Sequence, residues 1–140
     1  MKKDTSELLK ALEGCESYER FYSENERDLV SEPLSEHLSA LIEKKGIKKA
    51  EAIRKSELSE VYAYQIFSGV RIPERKKLLA LCIGMSLDLS EAQTLLKHCS
   101  YAPLYAKNPF DCIVIFGICK GLSVMEINAM LYEYGEDTLG

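Results

Sequence analysis

The chain has 140 residues, 46% of them hydrophobic, with 18 Lys and Arg against 22 Asp and Glu for a formal net charge of −4. That apolar content is enough for one compact core with an appended subdomain, and it excludes a disordered chain. No segment approaches the ~20 consecutive apolar residues of a membrane span, and the N-terminus has no apolar export region, so a cytoplasmic protein with no membrane partner is expected.

Four prolines and eight glycines stand almost entirely at segment ends. No alternating β-branched run is longer than Cys112 to Ile118. Together these predict an all-α fold without a sheet, in eight or nine helices. At the N-terminus, Asp4 or Thr5 caps a short helix through LLKALEG that Gly14 ends, with Leu8, Leu9 and Leu12 as its stripe. Tyr18, Phe21 and Tyr22 continue at helical spacing amid glutamates. Residues 1–43 carry 5 Lys/Arg against 11 Asp/Glu, the wrong sign for a surface that meets phosphates. Ser31, Glu32 and Pro33 mark a new helix start, and Leu34, Leu38, Leu41 and Ile42 line a helix closed by Gly46.

Between Gly46 and Pro73 two apolar patterns follow each other with only Ser56 and Glu57 between them. Ile47, Ala50 and Ile53, with Ala52 beside them, make the first; Leu58, Val61 or Tyr62, Ala63 and Ile66 make the second. Two short helices therefore cross at a tight turn. Ser59 can accept the first N–H groups of the second helix, and Gly69 is placed to end it in the left-handed conformation. Residues 44–77 hold 10 Lys/Arg against 4 Asp/Glu, reversing the sign of the preceding stretch. Lys48 and Lys49 stand where helix N–H groups already favour a phosphate. Arg71, Arg75, Lys76 and Lys77 follow the second helix.

Pro73 is read as the start of a third helix, ERKKLLALCIGM, with Ser90 capping the next one, EAQTLLKHC. His98 near the end of that helix reads as a complement to its dipole. Asn108 and Pro109 open a helix through FDCIVIFGICKG, apolar nearly all round and so expected to be buried on more than one side. Ser123 and Glu126 form a capping box for the last helix, which ends at Gly135.

The residues from about Leu34 to Leu89 resemble the λ-repressor-like helix-turn-helix family, often called the XRE family. The resemblance is carried by Gly46 opening the motif, the buried pair Ala52-Ile53, the inward Ala63 and Ile66, and the loop S-G-V-R-I-P. Glu57 stands where the family usually has a turn glycine, and Phe67 where it usually has a glutamate. The resemblance implies a DNA-binding domain over 34–89; charge and helix spacing outside it give an acidic N-terminal helical extension over 1–33 and a C-terminal helical subdomain over 90–140 packed on the core. It implies a sequence-specific regulator that binds double-stranded DNA. Its second helix would present Ser59, Glu60, Val61, Tyr64 and Gln65 to the major groove, Gln65 being placed to read an adenine. Lys48, Lys49, Arg71, Arg75 and Lys76 would meet phosphates. Such regulators present two recognition helices, so a homodimer held by the C-terminal helices is expected. Three aromatic residues close together, Tyr62, Tyr64 and Phe67, keep a second class in view, a protein-interaction module with the same shape.

Five cysteines form no C-x-x-C pair and read as small apolar residues; no metal and no cofactor is expected. There is no G-x-G-x-x-G, no P-loop and no nucleophile elbow, so no catalytic residue is assigned.

Overall fold

The computed structural model describes residues 4–29 and 33–140, with side chains described for 4–25 and 33–140. Its elements are α1 (Thr5–Gly14), α2 (Tyr18–Leu29), α3 (Leu34–Lys45), α4 (Lys49–Ser56), α5 (Glu60–Ser68), α6 (Arg75–Gly84), α7 (Leu89–His98), α8 (Pro109–Lys120) and α9 (Val124–Glu133). Every one of these is helical, and no strand occurs among the described residues, as the spacing of apolar residues predicted. No helix among them is long and apolar enough to cross a membrane. The chain divides into two compact units, Met1–Glu32 and Pro33–Gly140.

In the first unit Asp4 is the cap of α1, its Oδ1 accepting the Glu7 N–H at 2.8 Å. The leucine stripe is not a buried one: Leu9 and Leu12 remain exposed. Phe21 is the buried aromatic of α2, and buried Asn25 donates from Nδ2 to the Phe21 carbonyl at 2.9 Å.

In the second unit the helix ends follow local chemistry. Gly46 closes α3 at φ 65°, and Gly69 closes α5 at φ 85°. The Ser59 hydroxyl accepts the Tyr62 N–H at 3.2 Å. The capping box of Ser123 and Glu126 is formed at the start of α9. Two starts differ from expectation. Helix α6 begins at Arg75 rather than at Pro73, whose carbonyl instead accepts the Tyr101 hydroxyl at 2.6 Å. Helix α7 is capped by Asp88 and not by Ser90: Asp88 and Glu91 exchange side-chain and backbone bonds at 2.8 and 3.0 Å. The acid three residues downstream suits Asp88, and Ser90 already lies within the helix. Ser31 and Glu32, expected at the start of α3, lie outside the described residues.

Helix α6 is the centre of the core. Leu78, Leu79, Ala80, Leu81 and Cys82 are all buried, and α4, α7 and α9 pack around the helix. Each fully buried leucine here is worth about 1.5–3 kcal/mol. Burial pushes the Cys82 thiol up to about 12, with neighbouring Cys99 adding to the shift, so it stays a neutral apolar group. The expected burial of α8 on more than one side is corrected to one broad face, with Phe110, Ile113, Ile115 and Ile118 half-buried at its margins. Asp111, Val114 and Gly117 face inward, while Phe116, Cys112 and Cys119 are exposed.

The turn between α4 and α5 is built by Ser56 and Glu57. Buried Ser56 donates from Oγ to the Ile53 carbonyl at 2.6 Å and accepts the Leu58 N–H at 3.3 Å. Glu57 takes φ 60°, a left-handed conformation that favours glycine. Below the turn Gly84 lets α6 touch the backbone of α4: a Cβ there would stand 2.5 Å from the Ala52 carbonyl oxygen and 2.7 Å from the Ser56 nitrogen. Gly84→Ala is therefore expected to cost about 2–3 kcal/mol, because the obstacle is main chain that cannot rotate away. Glu57→Gly should raise stability by roughly 0.5–1 kcal/mol, relief of left-handed strain outweighing the added unfolded-chain entropy. Urea melts of both variants check the pair; a neutral Gly84→Ala would mean that the two helices are not locked at this point.

Candidate nucleic-acid interface

Helix α5 has two unlike faces. Ala63, Ile66 and Phe67 are buried, whereas Glu60, Val61, Tyr64 and Ser68 are exposed and Gln65 is half-buried. Val61 is 71% exposed on this face, and Val70 and Ile72 in the segment after α5 are exposed as well. A groove of about 550 Å³ runs along this face, lined by Lys49, Glu60, Val61, Tyr64, Gln65 and Ser68. A second hollow of about 340 Å³, lined by Ala50, Ile53, Arg54, Leu58, Glu60 and Tyr64, lies on its other side. Glu60 and Tyr64 form the ridge between them. The expected outward set is thus brought together, with Ser59 at the helix start, its oxygen already occupied by the Tyr62 N–H.

The three aromatics do not act together. Phe67 is only 5% exposed and belongs to the core, so it is not part of a docking face; Lys49 Nζ lies 5.4 Å from its ring centre. Tyr62 is half-buried between two cations, Arg71 at 5.1 Å and Lys77 at 4.5 Å from its ring. Burial pushes its hydroxyl pKa up, Glu74 adds to this, and Arg71 opposes it. Of the three, Tyr64 is the one that reaches solvent.

The cations divide in the same way. Lys48 occupies the N-cap position of α4 without a side-chain cap bond, Lys49 is its first residue, and both are exposed. Neither makes an ion pair among the described residues. Arg71 is brought back onto α5 by the left-handed Gly69: the Val70 and Arg71 N–H groups both donate to the Gln65 carbonyl, at 3.0 and 3.2 Å. Its side chain returns as well, Nε donating to Gln65 Oε1 at 2.9 Å.

Arg75, expected to clamp a phosphate, is instead committed inside the unit. Both Nη groups donate to the Asp111 carboxylate at 3.1 and 3.0 Å, and Nε donates to the Ala102 carbonyl at 3.0 Å. Asp111 is buried and also accepts the Tyr105 N–H at 2.9 Å. A guanidinium whose fork is filled in this way has little left for a backbone phosphate. Lys76 pairs with Asp137 at 2.9 Å on an exposed surface, a contact that a phosphate can replace. Lys45 pairs with Glu91 at 2.9 Å. These acidic partners lie outside the basic stretch, so its charge is partly neutralised in the fold, and no short-range sequence signal foretold which cations would be taken.

Comparison with protein-family models, with curated proteins and with solved structures finds no match for this chain.

Replacing Arg75 by Ala leaves the Asp111 carboxylate short of its main partner in a mostly dry site, and should cost about 2–4 kcal/mol. Thermal and urea unfolding would register this loss; a change within 0.5 kcal/mol would return Arg75 to the pool of available cations.

Proposed function

We propose that the chain is a sequence-specific DNA-binding transcriptional regulator of the λ-repressor-like helix-turn-helix kind. The observation that carries this reading is the joint placement of Lys49, the first residue of α4, and of the outward α5 face, Glu60, Val61, Tyr64 and Gln65, around one groove, with exposed Lys48 next to Lys49 at the start of α4. Lysines at a helix N-terminus fix a phosphate, and the adjoining helix is then set at a fixed distance to enter the major groove. Val61 supplies an apolar contact of the kind a thymine methyl group accepts, and Arg71 and Lys76 extend the cationic rim. A homodimer joined through the C-terminal helices completes the proposal, since one such helix reads too short a site alone; the exposed Phe116 of α8 supports it.

A second reading, a protein-interaction module, is favoured by one feature: Val61 and Tyr64 stand exposed one turn apart on the groove wall, and Glu60 beside them repels phosphates. Salt separates the two. Binding to duplex DNA should weaken with a slope of several units in log–log form, and Lys48→Ala or Lys49→Ala should each flatten it by about one on any sequence. Arg75→Ala, once corrected for the unfolded fraction, should leave the slope alone. Titrations of labelled duplex across a salt series provide the check; absence of binding at low salt would favour the interaction module.

A further inference from the structure

We infer, resting on the DNA-binding reading above, that Arg71 is a guanine-reading side chain and that Gln65 is its positioning residue rather than an independent adenine reader. The geometry is a double tie between Gln65 and Arg71, with a third bond from Val70 beside it. Gln65 accepts the Arg71 main-chain N–H and its side-chain Nε–H, at 3.2 and 2.9 Å, and also holds the preceding Val70 N–H at 3.0 Å. The guanidinium lies 5.1 Å from the ring centre of Tyr62, which is itself wedged in place by Lys77 on its other contact. A long side chain that would otherwise sample many rotamers is thus braced in one.

What remains of Arg71 fits one partner best. With Nε occupied, its two Nη groups are left, and no carboxylate pairs with them among the described residues. A pair of parallel donors matches O6 and N7 of guanine in the major groove. A phosphate accepts the same fork, and what favours a base edge for Arg71 is its tie to Gln65 of α5, the helix proposed to enter the major groove. The same bond alters the role of Gln65. Reading adenine in two places needs Oε1 as acceptor and Nε2 as donor, and the bond from Arg71, which takes one of the two lone pairs of Oε1, fixes the direction of that amide toward the arginine. Arg75 shows the contrast within the same chain: there the fork is filled by Asp111, and nothing is left for a base.

The test begins with selection of the full-length protein on a pool of random-sequence duplexes. Each guanine of the selected site is then replaced by 7-deazaguanine, which lacks the N7 acceptor. One guanine per half-site should prove sensitive, its replacement weakening the wild-type protein roughly tenfold and Arg71→Ala less than about twofold. Gln65→Glu keeps an acceptor for Nε while losing the amide donor, so it should preserve that sensitivity even if overall affinity falls. Gln65→Ala should reduce it, with the melting temperature of each variant confirming the fold. If Arg71→Ala weakens all duplexes by one common factor, or if Gln65→Glu abolishes a selected adenine instead, the assignment of roles is overturned while DNA binding stands. Should the pool yield no retained duplex at low salt, the DNA-binding reading falls and this inference with it.

Discussion

The contact on which the remainder of the second unit depends is the one between α4 and α6, made possible because Gly84 has no side chain. Main chain meets main chain there, with the Ala52 carbonyl and the Ser56 nitrogen in the place a Cβ would take. Everything presented to solvent by α4 and α5 is referred to this point. Ser56 sits at the contact and also organises the turn, through its bonds to Ile53 and Leu58, so the angle between the two helices and their seat on the core are fixed by the same residue. Glu57 then adopts a left-handed conformation that its Cβ disfavours, between buried Ser56 on one side and Ser59, the cap of α5, on the other.

Charge in this chain has to be followed through space to be understood. A stretch that is strongly basic along the sequence loses Lys45, Arg75 and Lys76 to carboxylates brought from distant segments. What the fold leaves is a smaller and more ordered set around α4 and the end of α5. Within it, Arg71 and Gln65 differ from the lysines in being fixed to each other. Fixed donors and mobile point charges do different work at a surface, the first discriminating shapes and the second supplying attraction.

Local signals in the sequence were read correctly where the chemistry is local. Gly46, Gly69, Ser59, Asn108 and the pair Ser123 and Glu126 end or begin helices as their side chains or missing side chains require. Spacing along α5 left Val61 and Tyr62 as alternatives for the inner side, and the structure makes Tyr62 the half-buried one and Val61 the exposed one. What escaped were choices decided by contacts far along the chain. Phe67 belongs to the core because the helices around α5 close over it, Arg75 turns to Asp111 because the loop after α7 brings that carboxylate to it, and Cys112 and Cys119 stay exposed because α8 buries one face only. Asp88 against Ser90 was a closer choice, settled by which of them has a glutamate three residues ahead.

Asp111 has a further consequence for how this unit comes apart. It stands in the first turn of α8, receives its own N–H cap from Asn108, accepts the Tyr105 N–H, and holds Arg75 at the start of α6, while that arginine also holds the Ala102 carbonyl. Nearer the C-terminus, buried Leu139 is fastened by its N–H to Asn128 at 2.7 Å. A chain shortened to residues 34–89 would strip Arg75 of its counter-charge and uncover the far side of α6 in one step. The last fifty or so residues are therefore a keel for the helices that face outward, and a cut between the two leaves no natural edge.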